Sequence, residues 1–358
     1  MRRFLWGAIG ICACLLTIGV ALADSDGTWD VFLERGTSDG ADSLIFVDVL
    51  TGETHEMVTH GERYTRLRNG ILYYDASQQV VLFAQPDQAE PQAHPYIHMD
   101  PDARRIDWTT SDDKRQIAWT LTYGSPEAIT TVTHVLSADG TGPHEVLSDG
   151  PQIGVRVLPI AFSDDGNRLF VDMYPDGLER YVAYSQYAGL HQLDLETGEL
   201  TPLPGEPGCF CGAGIRGNSF VRLSLNSDPS AFDVRYYNLA SDRAVTIPAQ
   251  GFNNFTQAGD VLLTSDGLQA VYALSDVSDF GTAQQSIRTV FMLVDLRAMR
   301  QRPLTEPITT YVHPLQWTED NSAILFTSTQ NNGTWKVSLE TGQLQKVAEA
   351  AFLGSIQE

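Results

Sequence analysis

The chain has 358 residues, with 45 acidic against 23 basic side chains and a formal net charge of −22. A surface this acidic repels phosphate backbones, so nucleic acid is excluded as a partner. Four cysteines in a chain of this length exclude a small domain held together by disulfides. The length allows one large all-β domain or two smaller ones.

Residues 1–23 have the pattern of a secretory signal peptide. Arg2 and Arg3 precede an apolar run over residues 4–23 that closes on Ala-Leu-Ala, before a polar stretch. A charged start, an apolar centre and a small-residue cleavage site direct export. We therefore expect residues 24–358 to form an extracytoplasmic domain, periplasmic or extracellular. The alternative is an uncleaved anchor over residues 4–23, because about 20 apolar residues can span a bilayer, and only then is membrane contact expected.

A short motif recurs along the rest of the chain: a strand of alternating apolar and polar residues that ends in a polar turn with glycine. Residues 47–53, 193–199 and 337–343 have the sequences VDVLTGE, LDLETGE and VSLETGQ, and looser copies follow elsewhere. Alternation with a period of two indicates a half-buried strand, and the glycine turn indicates a hairpin.

A second motif precedes the first in most copies, and it consists of an aromatic residue, a polar turn and a strand. It begins at Trp108, Phe162 and Trp317. Four antiparallel strands every ~40–55 residues, without a helix pattern between them, are typical of a β-propeller blade. Boundaries near residues 64, 100, 151, 205, 250 and 307 predict one propeller of about seven blades, with six or eight as alternatives. We expect residues 29–33 to close the ring by pairing with strands of the last blade.

These motifs resemble those in the blades of TolB-like and dipeptidyl-peptidase-type propellers, which are WD-repeat-like. In that family an aromatic-Ser-Pro-Asp-Gly turn joins the first two strands of a blade, whereas the turns after Trp108, Phe162 and Trp317 lack the proline. The resemblance covers nearly all of residues 24–358 and implies a fold more than a function. It also implies that the tight turns lie on one face and the longer loops on the other, where ligands bind.

One of those longer loops carries the densest polar and aromatic set in the chain, between residues 174 and 187. The predicted ligand-binding residues are Tyr174, Arg180, Tyr181, Tyr184 and Tyr187. Such side chains can stack on a sugar or peptide and hydrogen-bond to it. The alternative is that the tyrosines alternate along strands and pack between blades.

Other chemistry-bearing patterns are weak. His94, His98 and Asp100 form an H-x3-H-x-D string without a further nearby ligand, so no metal site is predicted. Cys209 and Cys211 are interpreted as two reduced thiols, with a strained disulfide as the alternative.

No G-x-S-x-G nucleophile motif is present, no catalytic residue is assigned, and no cofactor is predicted. The sequence therefore favours a non-enzymatic propeller that binds a protein, peptide or glycan, or serves as a scaffold. The alternative is a propeller hydrolase or lyase with carboxylates in its central funnel.

Overall fold

The computed structural model describes residues 27–357 except 37–39, 137–141, 206–210, 226–230, 242, 251, 253 and 330–331. The predicted signal peptide lies outside the described residues, so its cleavage stays a prediction. Among the described residues, none forms an apolar helix of membrane-spanning length.

The described strands form seven four-stranded antiparallel sheets, which confirms the predicted all-β propeller and its blade count. The strands of the first four blades are β1 (Thr28–Glu34), β2 (Asp42–Asp48) and β3 (Thr54–Thr59); β4 (Glu62–Arg66), β5 (Ile71–Asp75), β6 (Val80–Ala84) and β7 (Gln92–Ala93); β8 (Ala103–Thr110), β9 (Ile117–Tyr123), β10 (Ile129–Leu136) and β11 (His144–Gln152); and β12 (Val155–Phe162), β13 (Arg168–Pro175), β14 (Leu190–Asp194) and β15 (Leu200–Pro202).

The remaining blades follow the same order, and the last strand of the chain returns to the first blade. These strands are β16 (Ala213–Arg216), β17 (Ser219–Leu225), β18 (Phe232–Asn238) and β19 (Arg243–Ile247); β20 (Gln257–Leu263), β21 (Gln269–Ser278), β22 (Ser286–Asp295) and β23 (Arg300–Pro303); β24 (Val312–Trp317), β25 (Ala323–Ser328), β26 (Thr334–Ser338) and β27 (Leu344–Ala348); and β28 (Ala351–Gln357). A short 3-10 helix covers Leu178–Arg180.

The first strands of the blades surround a central channel. Contacts between blades join β8 to β12, β16 to β20, β20 to β24 and β28 to β4, which places these strands innermost. Apart from β28, they begin at residues 62, 103, 155, 213, 257 and 312, within eight residues of the six boundaries inferred from the repeat. The core lies between blades, where one face of each sheet packs on the next.

The tight turn that defines the repeat is stabilised by one hydroxyl and one carboxylate. In the turn between β12 and β13, the Ser163 hydroxyl donates to Asp165 at 2.6 Å and accepts from the Arg168 amide at 3.0 Å. The same pattern joins Thr318, Asp320 and Ala323 in blade 7. Because the turn needs only a Ser or Thr and an Asp two residues later, the family's proline is dispensable.

Ring closure involves the predicted segment but a different partner. Strand β1 pairs with β2 on one side and with β28 on the other, with Trp29 opposite Ile356 and Leu33 opposite Ala351. The expectation that residues 29–33 pair with the last blade is therefore wrong in its partner. Blade 7 already has four strands when β27 ends, and β28 instead supplies the innermost strand of blade 1.

Candidate functional site

The innermost strands all begin at the same end of the channel, which we call the upper mouth. This follows from the antiparallel order, because each innermost strand is entered from the loop between two blades and left through a tight turn. The loop between the second and third strands of each blade lies on this same face. Arg63, Arg105 and Arg156 are near the starts of β4, β8 and β12, and all three reach the upper mouth.

Residues 176–185, in the loop between β13 and β14, form a crossing segment that is fixed at its first end to blades 3 and 4. Asp176 pairs with Arg104 at 3.0 Å and with Arg156 at 3.4 Å. Glu179 contacts the Arg105 guanidinium and lies 3.6 Å from that of Arg156. This end of the segment therefore holds two carboxylates against arginines of the innermost strands.

The other end of the crossing segment is fixed to blades 6 and 7. The Ser185 amide donates to Asp260 Oδ1 at 2.7 Å, and Asp260 Oδ2 lies 2.7 Å from His313 Nδ1. The buried Tyr184 hydroxyl bonds to Ser275 and lies 3.3 Å from the Thr289 hydroxyl. The centre of the Tyr184 ring also lies 5.6 Å from that of the His313 ring in blade 7. Since its two ends reach blades 3 and 7, the segment passes over the upper mouth.

Three arginines from three consecutive blades converge on one carboxylate below the first end of the segment. Asp107 is 4% exposed and accepts from Arg105 at 2.8 Å, from Arg156 at 2.6 Å and from Arg63. Burial alone would raise the pKa of Asp107, but the charges of Arg63, Arg156 and Arg105 outweigh it and hold the pKa below its usual value. Asp107 therefore stays ionised as the shared counterion of the cluster.

Two cavities adjoin the crossing segment. The rim cavity, of about 530 Å³, lies on the side of blades 2 to 4 and is lined by Arg63, Arg104, Arg105, Arg180, Tyr181 and the two carboxylates of the segment. The channel cavity, of about 370 Å³, lies between the segment and strands β8 and β12, and its wall includes Arg156, Tyr174, Tyr184 and Tyr187.

The five predicted site residues divide between these environments. Tyr174 and Tyr184 are buried, at 4% and 3% exposure, and burial raises the pKa of Tyr174 to about 12. Tyr187 is half-buried, and its amide donates to the Cys211 carbonyl at 3.1 Å. Arg180 is exposed, and Tyr181 is 82% exposed beside the rim cavity. All five border a cavity, and the packing alternative describes Tyr174 and Tyr184 better than it describes Tyr181.

Sequence reasoning missed the arginine cluster. Arg63, Arg105 and Arg156 lie far apart in the chain and share no local motif. Their common signal is position, because each stands at the second or third residue of an innermost strand. Aligning the seven repeats on that strand would have brought the three residues together.

The structure also describes residues of two weaker sequence patterns, the histidine string and the cysteine pair. His94 Nδ1 accepts the amides of Tyr96 and Ile97, and burial lowers its pKa to about 4, so its ring is neutral near pH 7. Cys211 is disulfide-bonded, so the interpretation as a reduced thiol is wrong for this residue. Cys209 lies outside the described residues.

Comparisons with known proteins show where this fold occurs. No protein-family model and no curated protein matches the sequence. A prolyl endopeptidase superposes with a TM-score of 0.63 at 12% identity, covering 91% of this chain and 49% of that one. An oligogalacturonate lyase in complex with manganese gives 0.56 at 9% identity, covering 87% and 96%. TolB from Acinetobacter baumannii is also similar, with 0.45 at 15% identity, covering 90% and 82%.

The chain has the fold of a seven-bladed β-propeller. Identities this low show the fold alone, because propellers support many unrelated functions. The chain spans about half the length of the prolyl endopeptidase. The function of this propeller therefore has to be argued from the upper mouth.

Proposed function

We propose that this propeller is an extracytoplasmic, non-enzymatic binding module that holds a peptide or protein segment at its upper mouth. The observation that carries the proposal is the crossing segment, which is fixed at both ends and leaves Arg180 and Tyr181 exposed beside a cavity of about 530 Å³. A site whose shape is fixed before binding loses less entropy when the ligand arrives.

The distribution of exposed apolar side chains supports a polypeptide partner. Eight large hydrophobic residues of the described chain are exposed, and six of them stand in or beside loops of the upper face. These six are Val58, Tyr96, Ile153, Tyr181, Leu225 and Phe280. Apolar side chains gathered on one face are typical of interaction surfaces. Aliphatic side chains such as Ile153 and Leu225 suit a protein better than a glycan, because sugars stack on aromatic rings.

The state of the channel carboxylates supports binding over the hydrolase or lyase alternative. A glycosidase needs one carboxyl group as acid and another free to act as base or nucleophile. Asp107, Asp176 and Glu179 are each paired with arginines, and Asp260 is paired with His313. Groups paired in this way are better suited to fixing the crossing segment than to proton transfer.

The test is selection of a random peptide library displayed on phage against the purified protein, followed by affinity measurement for the selected peptides. Tyr181→Ala should weaken binding at least tenfold, about 1.4 kcal/mol, as loss of an aromatic anchor does. Leu50→Ala is the matched control, because Leu50 is 61% exposed on the opposite, tight-turn face.

Failure to enrich any peptide, or equal effects of the two substitutions, would overturn the proposal. Turnover of an oligogalacturonate or of a prolyl peptide by the wild-type protein would favour the enzymatic alternative instead.

A further inference from the structure

The rim cavity has a charge opposite to that of the molecule around it. The chain carries a net charge of −22, yet the cavity is lined by four arginines and only three carboxylates. The arginines are Arg63, Arg104, Arg105 and Arg180, and the carboxylates are Glu62, Asp176 and Glu179. The excess positive charge is therefore local and lies on the face proposed to bind a partner.

Most of these charges already have partners inside the protein. Arg63 and Arg105 contact Asp107, and Arg104 pairs with Asp176 at 3.0 Å. Arg180 differs, because in the described part of the chain its guanidinium has no hydrogen-bond or ion-pair partner. A guanidinium has five N–H donors in a planar fork, which matches the two oxygens of a carboxylate.

The backbone of Arg180 is nevertheless fixed. It ends the 3-10 helix Leu178–Arg180, and its neighbour Glu179 contacts the Arg105 guanidinium. Its amide donates to the Gly177 carbonyl at 3.2 Å. The side chain of Arg180 therefore starts from a defined point beside the rim cavity, with the partly exposed Arg104 and Arg63 on the same wall.

The geometry points to the rim cavity as a carboxylate-binding subsite, with an acidic peptide segment as the partner and Arg180 as its principal contact. This inference rests on the proposed peptide-binding function and adds the chemical class of the ligand. An acidic surface around a basic cavity also favours specificity, because it repels an acidic segment everywhere except at the subsite.

The carboxylate can come from an Asp or Glu side chain or from the C-terminus of the peptide. The probes are a peptide selected from the library, its counterpart with every Asp and Glu replaced by Asn and Gln, and the same pair with amidated C-termini. Loss of binding on amide replacement identifies side-chain carboxylates, and loss on amidation alone identifies the terminus.

The protein variants are Arg180→Ala and Arg180→Glu, with Arg115→Glu as the matched control. Arg115 is also exposed but lies in the tight turn after β8, on the opposite face. We expect the peptide that retains the recognised carboxylate to bind wild type at least tenfold more tightly than the peptide in which an amide replaces that carboxylate. Arg180→Glu should abolish this preference, whereas Arg115→Glu should retain it, with equal melting temperatures for all variants.

Three outcomes would overturn the inference. If carboxylate and amide peptides bind equally, and Tyr181→Ala still weakens both, the subsite is wrong while the peptide-binding function stands. If Arg180→Glu keeps the full preference, Arg180 is not the contact. A library that yields no binding peptide would overturn the subsite and the proposed function together.

Discussion

Asp107 illustrates how a buried charge is tolerated at the scale of one residue. Moving a carboxylate out of water costs several kcal/mol, and at Asp107 three guanidiniums offset that cost. Arg156, itself 1% exposed, depends equally on the carboxylate. The cluster is therefore stable only while all of its charges are present.

We predict that Asp107→Asn destabilises the protein by about 3–5 kcal/mol, because removing one partner leaves buried guanidiniums uncompensated. Urea unfolding measures the change. Asp279→Asn is the control, since Asp279 is exposed and its φ of 54° is one that asparagine tolerates. A loss below about 1 kcal/mol would mean that water reaches the arginines.

The same residue predicts a dependence on pH. The pKa of Asp107 in the folded state is below its ordinary value of 3.8. Its contribution to stability is then fully present above that value and is lost as the pH falls through the lower, folded-state pKa. Unfolding measured between about pH 2 and 6 should show a steeper acid loss for wild type than for Asp107→Asn.

Tyr181 and Tyr184 allow a paired test, because they are three positions apart in the crossing segment and differ in burial. Tyr184→Ala should cost about 3–5 kcal/mol, as large buried aromatic side chains do. Tyr181→Ala should change stability by less than about 0.5 kcal/mol, as exposed positions do. Thermal melts of both variants are the measurement. A large loss of stability for Tyr181→Ala would show that Tyr181 packs in the core and is not part of the binding site.

At the scale of elements, the crossing segment depends on a strained residue. Asp260 has φ of 53° within an irregular stretch of β20, and its carboxylate holds both the Ser185 amide and His313. A non-glycine residue in this conformation costs about 1–3 kcal/mol and persists where surrounding contacts require it. We attribute that requirement to the attachment of the segment.

We predict that Asp260→Ala releases the distal end of the segment, whereas Asp260→Asn retains it. Asparagine keeps an oxygen that can accept the Ser185 N–H and tolerates positive φ, and alanine does neither. Amide hydrogen exchange at Ser185 should accelerate at least about tenfold in the alanine variant, because that variant loses the hydrogen bond from the Ser185 amide to the carboxylate, which is worth roughly 1.5–3 kcal/mol. Equal exchange in wild type and Asp260→Ala would show that Tyr184 alone fixes this end.

The elements also show what the sequence can and cannot predict. The blades were predictable because their turns are local: Ser163 and Asp165 are two residues apart and bond to each other. The arginine cluster was not, because Arg63 and Arg156 meet only after blades 2 to 4 have packed together. The loop from 174 to 187 was recognised by composition, but composition could not separate exposed Tyr181 from buried Tyr184, since their burial depends on blades 6 and 7.

At the scale of the whole molecule, the ring is closed by a strand from the far end of the chain. Strand β28 pairs along β1, and Ile356 joins the cluster that contains Val31 and Phe46. Without β28, β1 would present an unpaired edge to the channel. Such edges pair with other chains and promote aggregation.

We predict that removing residues 351–358 opens the ring, lowers the melting temperature sharply and exposes β1 to self-association. A synthetic peptide of residues 350–358 added in trans should restore the melting temperature, because backbone pairing and the burial of Ile356 are regained together.

The matched control is the same peptide with Ile356→Asp. This peptide keeps the strand but places a charge in an apolar cluster, and it should not restore the melting temperature. Melting curves and size-exclusion chromatography measure both effects. A truncated protein that stays monomeric with an unchanged melt would show that the contacts of β1 to β3 with blades 7 and 2 suffice for closure. Rescue by the aspartate peptide would instead show that strand pairing, and not the burial of Ile356, closes the ring.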